Sequence, residues 1–269
     1  MKTMERDLSR VAREKFQENE GAPLFYGDWV SAVFVHLKVD PKPLQREVPY
    51  TLDLHDGKAY VSLVAFTMKR LRPRLGGRLS AAAFSPMAEH SFLNVRTYVK
   101  HEGERGIYFL LEWVSNQLAV LLGPKTFGLP YHYAKLDYRH DTDAGIHDRV
   151  TCGEHCLRFE AAVLDDRQPA QCAPGSLDEW LVERYIAFTQ RGQTPLYFRV
   201  WHHPWQQVPL RVQLTEDQLL RQTCRWYCDA EVSVISGNFT SGVRDVWIGW
   251  PRRVKALSQK QNIALFEGN

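Results

Sequence analysis

The sequence is poor in cysteine and has no long apolar run. Five cysteines among 269 residues are odd in number and too few for a disulfide framework, so we expect a reducing compartment, the cytoplasm. The apolar runs at residues 32–35 and 118–122 fall far short of the roughly 18–20 residues that a membrane helix needs. The polar first residues lack the apolar stretch of an export signal. We therefore expect a cytoplasmic protein with no membrane partner.

An excess of charge of one sign is also lacking. Lys and Arg number 34 against 31 for Asp and Glu, which leaves a net charge of +3. This small difference does not indicate a nucleic-acid-binding protein. The chain is 24% charged and 44% hydrophobic, values typical of a folded globular protein. No Gly-, Pro- or Ser-rich linker and no internal repeat divides it, which favours one main domain.

Two local clusters have both a functional and an ordinary interpretation. Cys152 and Cys156, like Cys224 and Cys228, are separated by three residues, a spacing that zinc sites allow. We interpret these cysteines as buried free thiols, because predicted strands adjoin them, and we expect no metal site. A basic cluster is compatible with a phosphorylated ligand or an acidic partner, although we favour a solvated loop. Its members are Lys69, Arg70, Arg72, Arg74 and Arg78.

Short segments rich in Val, Phe, Tyr and Thr dominate the chain from about residue 29 onwards, a composition typical of strands. The predicted strands are residues 29–38, 59–68, 91–100, 106–113, 130–138, 156–164, 195–203, 208–214, 226–234 and 243–250. Their number and spacing favour an antiparallel sheet closed, or nearly closed, into a β-barrel, because closure removes exposed edges. We predict a mainly β (α+β) fold with a few flanking helices.

Four helices are predicted around these strands. Residues 3–19 have an amphipathic pattern, residues 41–46 form a short helix, and residues 115–122 end at the stop signal of Gly123 and Pro124. The last helix begins at Ser176, three residues before Glu179 as in a capping box, and runs to Gly192. We divide the chain into an N-terminal helical arm (1–20), a single β-barrel domain (21–250) and a C-terminal tail (251–269).

Polar and apolar residues alternate along the strand at 91–100. At a period of two, Asn94, Arg96 and Tyr98 share one face. If this face points into a barrel, its guanidinium, amide and phenol suit a carboxylate ligand.

The next predicted strand offers a simpler explanation of Arg96. It places Tyr108, Leu110 and Glu112 on one face. A cross-strand pair of Arg96 with Glu112 would then only set the strand register.

Two further segments carry candidate side chains. Tyr131, Tyr133 and Lys135 share a strand face by the same alternation. His202 and His203 are adjacent and point in opposite directions on a strand, so only one of them can face a given site. One is a candidate acid–base group because imidazole titrates near neutrality; a packed, hydrogen-bonded pair is the alternative.

In chain order these segments resemble the YqjF-like family of uncharacterised bacterial proteins, which is grouped by fold with acetoacetate decarboxylase. The matching elements are residues 94–99, 105–109, 127–131 with Ala134, 201–205 and 238–247. The resemblance spans about residues 27–250. It implies a β-barrel with helices packed outside, in agreement with the number of predicted strands.

The resemblance also implies where a catalytic lysine would lie. The decarboxylases form a Schiff base on a lysine that follows a Gly-x-Pro motif and precedes a second lysine. Gly128 and Pro130 keep the motif, but Tyr131 and His132 occupy the two lysine positions, and neither side chain forms an imine. Lys135, four residues beyond Tyr131, has no activating neighbour in the sequence. We therefore do not expect decarboxylation by the Schiff-base route.

A second departure concerns an acid. Many YqjF-like sequences carry a glutamate two residues before the asparagine, and Phe92 occupies that position here. Glu89, three residues earlier, falls on the opposite face of the strand.

The leading hypothesis is that the protein binds a small organic anion or carbonyl compound inside the barrel, without a cofactor. Arg96 is expected to pair with the charge of the ligand, Asn94 and Tyr98 to donate hydrogen bonds, and Tyr131 or Tyr133 to line the wall.

Two alternatives remain open. One is an enzyme that uses Tyr131, His202 or His203 as an acid–base group on a keto or enol substrate. The other is a structural or interaction scaffold with a filled core. A homo-oligomer is compatible with the sequence.

Overall fold

Strands make up most of the regular structure in this computed structural model, which describes residues 7–164 and 168–254. The strands are β1 Phe25–Val39, β2 Thr51–Leu52, β3 Ala59–Pro73, β4 His90–His101, β5 Glu104–Val114, β6 Tyr131–Tyr133, β7 Lys135–Asp141, β8 Gly145–Cys152, β9 His155–Val163, β10 Ile186–Arg191, β11 Thr194–Trp201, β12 Val208–Glu216, β13 Val232–Ile248 and β14 Arg252–Arg253. The helices are α1 Leu8–Glu20, α2 Pro41–Glu47, α3 Gly77–Phe84, α4 Gln117–Phe127, α5 Leu177–Val182, α6 Gln218–Thr223 and α7 Arg225–Asp229, with a 3-10 turn at Ser85–Met87. The predicted mainly β class is confirmed.

Seven strands form a closed ring. Hydrogen bonds connect β11, β10, β5, β4, β3, β1 and β13 in that order, and β13 returns to β11. The antiparallel arrangement predicted from the sequence holds for most pairings, but β10 and β6 both run parallel to β5. These parallel neighbours are far apart in the chain, so no hairpin turn in the sequence signals them.

A second layer covers part of the outside of the ring. It consists of β12, β9, β8 and β7, and it joins the ring through β13. Side chains along β1 alternate between the two sides: Val33 and Val35 pack with Phe159 between the layers, whereas Ala32 and Phe34 belong to a cluster inside the ring. Burying a side chain of this size contributes about 1.5–3 kcal/mol, so both sides of β1 stabilise the fold.

The helix α1 packs against the outside of the ring. Ser9 Oγ donates to the carbonyl of His202 (2.7 Å), and Trp201 Nε1 donates to the carbonyl of Ser9 (3.0 Å). Phe16 is fully buried, with its ring centroid 5.6 Å from that of Trp247. The first six residues of the predicted arm lie outside the described part of the chain, as do residues 255–269 of the predicted tail. Arg252 and Arg253 of that tail form β14, which pairs with β11.

Two helix predictions need correction. The helix that begins at Ser176 ends at Val182, and residues 186–191 form β10, one of the seven ring strands. The helix predicted to stop before Gly123 continues through Pro124 to Phe127. Packing in the ring outweighs the local helix pattern in the first case and the local stop signal in the second. No helix in the described ranges is long and apolar enough to cross a membrane.

Candidate functional site

The ring encloses a cavity of about 490 Å3. Side chains from all seven ring strands and from α4 line it. Most of the wall is aromatic or aliphatic, including Phe34, Phe66, Phe92, Phe109, Phe198 and Trp205. A mostly apolar cavity of this size with a few polar groups is the usual form of a small-molecule site.

Three neighbouring strands bring the polar groups together. In the strand register Asn94 on β4 lies opposite Glu112 on β5, and Glu112 lies beside Tyr131 on β6. Arg96 lies two residues from Asn94 on the same face of β4. All four side chains line the cavity.

A bulge in β5 determines which of its residues point inwards. Val95 pairs with Leu111, but Arg96 pairs with Phe109, so Leu110 is an extra residue. As a result, Ile107, Phe109 and Glu112 line the cavity, whereas Tyr108 and Leu110 pack against the outer cluster. The prediction that Tyr108, Leu110 and Glu112 share a face is therefore wrong.

Several buried polar atoms of the cavity have no hydrogen-bond partner within the described residues. They include Asn94 Oδ1, Arg96 Nε and Glu112 Oε2. A terminal nitrogen of Arg96 donates weakly to the carbonyl of Leu181 at 3.4 Å, and the guanidinium lies 5.5 Å from the centre of the Phe34 ring. An unpartnered buried polar group costs roughly 1–3 kcal/mol, so several such atoms in one cavity lower the stability of the fold.

Burial shifts the ionisation of the two charged side chains. It raises the pKa of Glu112 well above its ordinary value, and the positive charge of Arg96 only partly opposes this shift. Burial also lowers the pKa of Arg96, an effect opposed by Tyr98 and Glu112. Glu112 is thus held towards its neutral, proton-donating form beside a guanidinium.

Tyr131 is positioned by a close contact with α4. A Cβ atom added at Gly123 would lie 2.4 Å from the Tyr131 ring, so only glycine leaves room for that ring. Burial raises the pKa of Tyr131 well above its ordinary value. The Tyr131 phenol is therefore neutral and serves as a hydrogen-bonding group.

Tyr98 lies beyond the cavity wall and does not line the cavity. Its hydroxyl bonds Ser62 Oγ, which lies 2.7 Å from His36 Nδ1, and His36 Nε2 lies 3.1 Å from Asn238 Oδ1. This buried network supports the wall beneath Arg96. Tyr98, predicted from the sequence to donate to the ligand, is therefore placed behind the cavity-lining residues.

The other predicted site residues are divided between the cavity and the surface. His202 lines the cavity, and its Nδ1 donates to the carbonyl of His203 (2.8 Å). Burial lowers the pKa of His202 to about 4, so its imidazole is neutral at neutral pH. His203 is exposed outside the ring. Tyr133, at the end of the three-residue strand β6, is 50% exposed and does not line the wall.

Sequence reasoning missed two contributors to the cavity. Glu112 appeared only as the partner in an ion pair, although a carboxyl side chain within an apolar strand was already a signal. Arg184 lines the cavity and donates to Asp53 at 3.1 Å, whereas the sequence placed it on a helix face. Glu89 pairs on the surface with Lys69 at 2.9 Å, so Glu112 is the carboxyl group nearest Asn94 in the sheet register.

Among the described residues, the lysine that lines the cavity is Lys125, at the mouth. Lys125 on α4 contributes to the lining and is exposed, whereas Lys135 is exposed and lies outside it. In the basic cluster, Lys69, Arg70 and Arg72 pair with carboxylates at distances of 2.6–2.9 Å. These three residues lie at the end of β3, so the prediction that they belong to a loop is wrong.

Comparison with known sequences gives one family and one curated relative. A model of the family DUF2071, described as an uncharacterized conserved protein, matches residues 27–229. The uncharacterized protein YqjF of Bacillus subtilis (strain 168) is 32% identical over 199 residues, which cover 71% of this chain and 80% of that protein.

Solved structures show the same fold at low identity. Acetoacetate decarboxylase from Legionella pneumophila superposes with a TM-score of 0.61 at 12% identity, covering 87% of this chain and 88% of that chain. The enduracididine biosynthesis enzyme MppR, in complex with pyruvate, gives a TM-score of 0.61 at 11% identity, covering 87% and 91%. These similarities concern the fold alone.

Proposed function

The chain belongs to the DUF2071 family, and from this premise we propose that it binds a small organic acid or carbonyl compound in the cavity of the ring. The predicted resemblance to YqjF-like proteins is confirmed by the 32% identity to the Bacillus protein. The family is described only as uncharacterized, so the argument for a ligand rests on the cavity itself.

The unpartnered polar atoms of Asn94, Arg96 and Glu112 carry this proposal. A ligand that bonds these atoms offsets the cost of leaving them buried without partners. Arg96 Nε and a neutral Glu112 carboxyl both donate, which suits a carboxylate or a carbonyl oxygen. Asn94 Oδ1 accepts, which suits a hydroxyl or enol group on the same ligand.

The rest of the wall constrains the remainder of the ligand. Aromatic rings of Phe34, Phe66 and Phe92 line the cavity beside the polar groups, so the ligand has an apolar body as well as an oxygen-bearing end. MppR, which shares the fold, was solved with the keto acid pyruvate, a ligand of the proposed chemical class. An open cavity of about 490 Å3 also favours binding over a scaffold with a filled core.

Native mass spectrometry of the purified protein tests this proposal. We expect a co-purified small molecule, or binding of added keto and hydroxy acids, and at least about a 100-fold loss of affinity in Arg96→Leu, which is roughly 3 kcal/mol. Arg211→Leu is the matched control because Arg211 is an exposed arginine on β12. Equal binding by Arg96→Leu and wild type would overturn the assignment of Arg96.

A second candidate function is acid–base catalysis on a keto or enol substrate. The observation that favours it is the burial of Glu112 in the same cavity as Arg96, since burial raises the pKa of this carboxyl and favours its acid form. Tyr131 and His202 also reach this cavity, but both are held neutral, and His203 lies outside it. Under this proposal Glu112 is the proton donor.

Deuterium exchange at the methyl groups of pyruvate or acetoacetate, followed by NMR, separates an enzyme from a binding protein. Catalysis by Glu112 predicts exchange above the buffer rate and a loss of at least roughly 100-fold in Glu112→Gln. His203→Gln should retain the wild-type rate. Exchange at the buffer rate, with ligand still bound, would leave binding as the function.

A further inference from the structure

Outside the cavity, three side chains form a hydrogen-bonded chain that the proposed function does not use. Ser31 Oγ on β1 lies 2.9 Å from His140 Nδ1 on β7. His140 Nε2 lies 2.8 and 2.9 Å from the two carboxylate oxygens of Asp148 on β8. None of the three lines the cavity. A serine, a histidine and an aspartate are thus linked in the order found in nucleophilic serine sites.

The hydrogen bonds determine where the imidazole proton lies. A carboxylate accepts, so Asp148 holds the proton of His140 on Nε2. His140 Nδ1 then carries the lone pair and accepts from the Ser31 hydroxyl. Burial raises the pKa of Asp148, and the hydrogen bond from His140 opposes this rise. In this tautomer the Ser31 hydroxyl is hydrogen-bonded to the ring nitrogen that carries the lone pair.

The backbone of Ser31 has a strained conformation. Its φ is 52°, in the left-handed region that non-glycine residues rarely adopt. Val30 pairs with Thr67 on β3, but Val33 pairs with Ala65, so Ser31 and Ala32 together oppose a single residue. Bulges of this kind re-aim side chains and recur beside active sites, as do strained backbone positions. Here the bulge directs Ser31 to β7, while Ala32 still lines the cavity.

The surroundings hold the base and leave the hydroxyl partly open. The His140 ring stacks on Tyr138 with centroids 5.4 Å apart, and Tyr138 donates to the carbonyl of Phe92 at 2.7 Å. The side chain of His140 is 6% exposed and that of Asp148 is fully buried, whereas Ser31 has intermediate exposure. The imidazole and the carboxylate are therefore shielded from solvent.

We propose that Ser31, His140 and Asp148 form a second site, in which Ser31 is a nucleophile for the acyl group of small esters. Ser31 Oγ forms a bond to the ester carbonyl carbon while its proton passes to His140 Nδ1. The tetrahedral adduct expels the alkoxide, which takes this proton and leaves as an alcohol. Water then attacks the acyl-serine by the same route, releasing the carboxylic acid and restoring the hydroxyl.

The chain contains an internal comparison for this site. Ser62 also bonds a histidine, with its Oγ 2.7 Å from His36 Nδ1. The third member there is the neutral amide of Asn238, and Ser62 and His36 are both fully buried. Ser62 therefore lacks both the carboxylate and the access that Ser31 has, and we expect it to be unreactive.

Labelling of the full-length protein with an alkyl fluorophosphonate, followed by peptide mass spectrometry, tests the proposal. We expect one adduct on Ser31, none in Ser31→Ala, and labelling at least about 100-fold slower in His140→Gln. Ser241→Ala is the matched control and should be labelled as the wild type is, because Ser241 is an exposed serine on β13. Hydrolysis of p-nitrophenyl acetate should be lost in Ser31→Ala and His140→Gln and retained in Ser241→Ala.

Labelling of the wild-type protein alone can overturn the proposal, so this test does not depend on how the variants fold. An adduct on Ser62 or on another serine contradicts the proposal, and so does the absence of any serine adduct. So does equal labelling of Ser31 in His140→Gln, provided that this variant melts as the wild type does. In either case the three side chains would serve only to hold β7 and β8 against the ring. Neither outcome bears on ligand binding in the cavity.

Discussion

Two buried carboxyl groups have opposite surroundings. Asp53 accepts from Arg105 at 2.8 Å and from Arg184 at 3.1 Å. Glu112 has one oxygen without a hydrogen-bond partner, and its pKa is raised well above the ordinary value. Asp53 therefore compensates a buried cation, whereas burial shifts Glu112, in the proposed site, towards its neutral form.

This contrast predicts different costs for two isosteric changes. Glu112→Gln should alter the free energy of unfolding by less than about 1 kcal/mol, because it replaces one neutral group by another. Asp53→Asn should lower it by roughly 3–5 kcal/mol, because Arg184 remains buried without its counter-charge. Urea unfolding at pH 7 measures both. Equal losses in the two variants would contradict the neutral state of Glu112.

The position of Tyr131 leads to a prediction about imine chemistry. Tyr131 lines the cavity where the resemblance expects a lysine, and Lys125 reaches only the mouth. We therefore expect no covalent adduct when the protein is treated with acetoacetate and borohydride. Intact mass spectrometry measures the outcome. A stoichiometric adduct on Lys125 or Lys135 would show that this chain kept the Schiff-base route.

At the scale of secondary-structure elements, α4 shows how packing outweighs a stop signal. Ala119, Gly123 and Phe127 recur every four residues and are all buried. This buried stripe faces the ring, so the helix continues through Pro124 although that proline has no N–H to donate. It ends at Gly128, which has the left-handed φ of 69° that suits a helix C-cap.

Gly123→Ala tests the contact between α4 and Tyr131. Alanine ordinarily favours a helix over glycine by about 1 kcal/mol. Here the added carbon would meet the Tyr131 ring at 2.4 Å, so we expect a net loss of roughly 1–3 kcal/mol. Gln117→Ala, at an exposed position of the same helix, should change stability by less than about 0.5 kcal/mol. A stabilised Gly123→Ala protein would contradict the packing described for Tyr131.

At the scale of the whole molecule, three buried histidines link stability to pH. Burial lowers the pKa of His36 to about 3, that of His90 to about 4 and that of His202 to about 4. The unfolded chain binds protons on these groups near pH 6.5, whereas the folded protein does not until the pH is far lower. Each histidine therefore contributes stability above pH 6.5 that is lost as the pH falls towards its folded-state pKa.

The loss at pH 5 is about 2 kcal/mol for each of these histidines. Carboxyl groups with raised pKa values, such as Glu112, act in the opposite direction, so the difference between two proteins isolates one imidazole. Between pH 7.5 and pH 5, wild type should lose about 2 kcal/mol more than His36→Gln in urea unfolding. Parallel pH profiles for the two proteins would mean that His36 accepts a proton in the folded state.

Some features of the fold and of the site were available from the sequence because they are local. Strand composition determined the mainly β class, and the alternation along β4 placed Asn94 and Arg96 on one face. Ser176 and Glu179 determined where α5 begins: Glu179 N donates to Ser176 Oγ at 3.2 Å. Each of these features depends on a few consecutive residues.

Only the tertiary structure decided which faces point inwards and which distant residues meet. A period of two does not say which side of a strand will be enclosed, and one bulge reverses the faces, as it does between Phe109 and Glu112. The meeting of Glu112 with Tyr131, and of Ser31 with His140 and Asp148, depends on pairings between segments far apart in the chain. Such contacts form when β6 and the second layer pack onto the ring, because this packing buries apolar side chains from many segments at once.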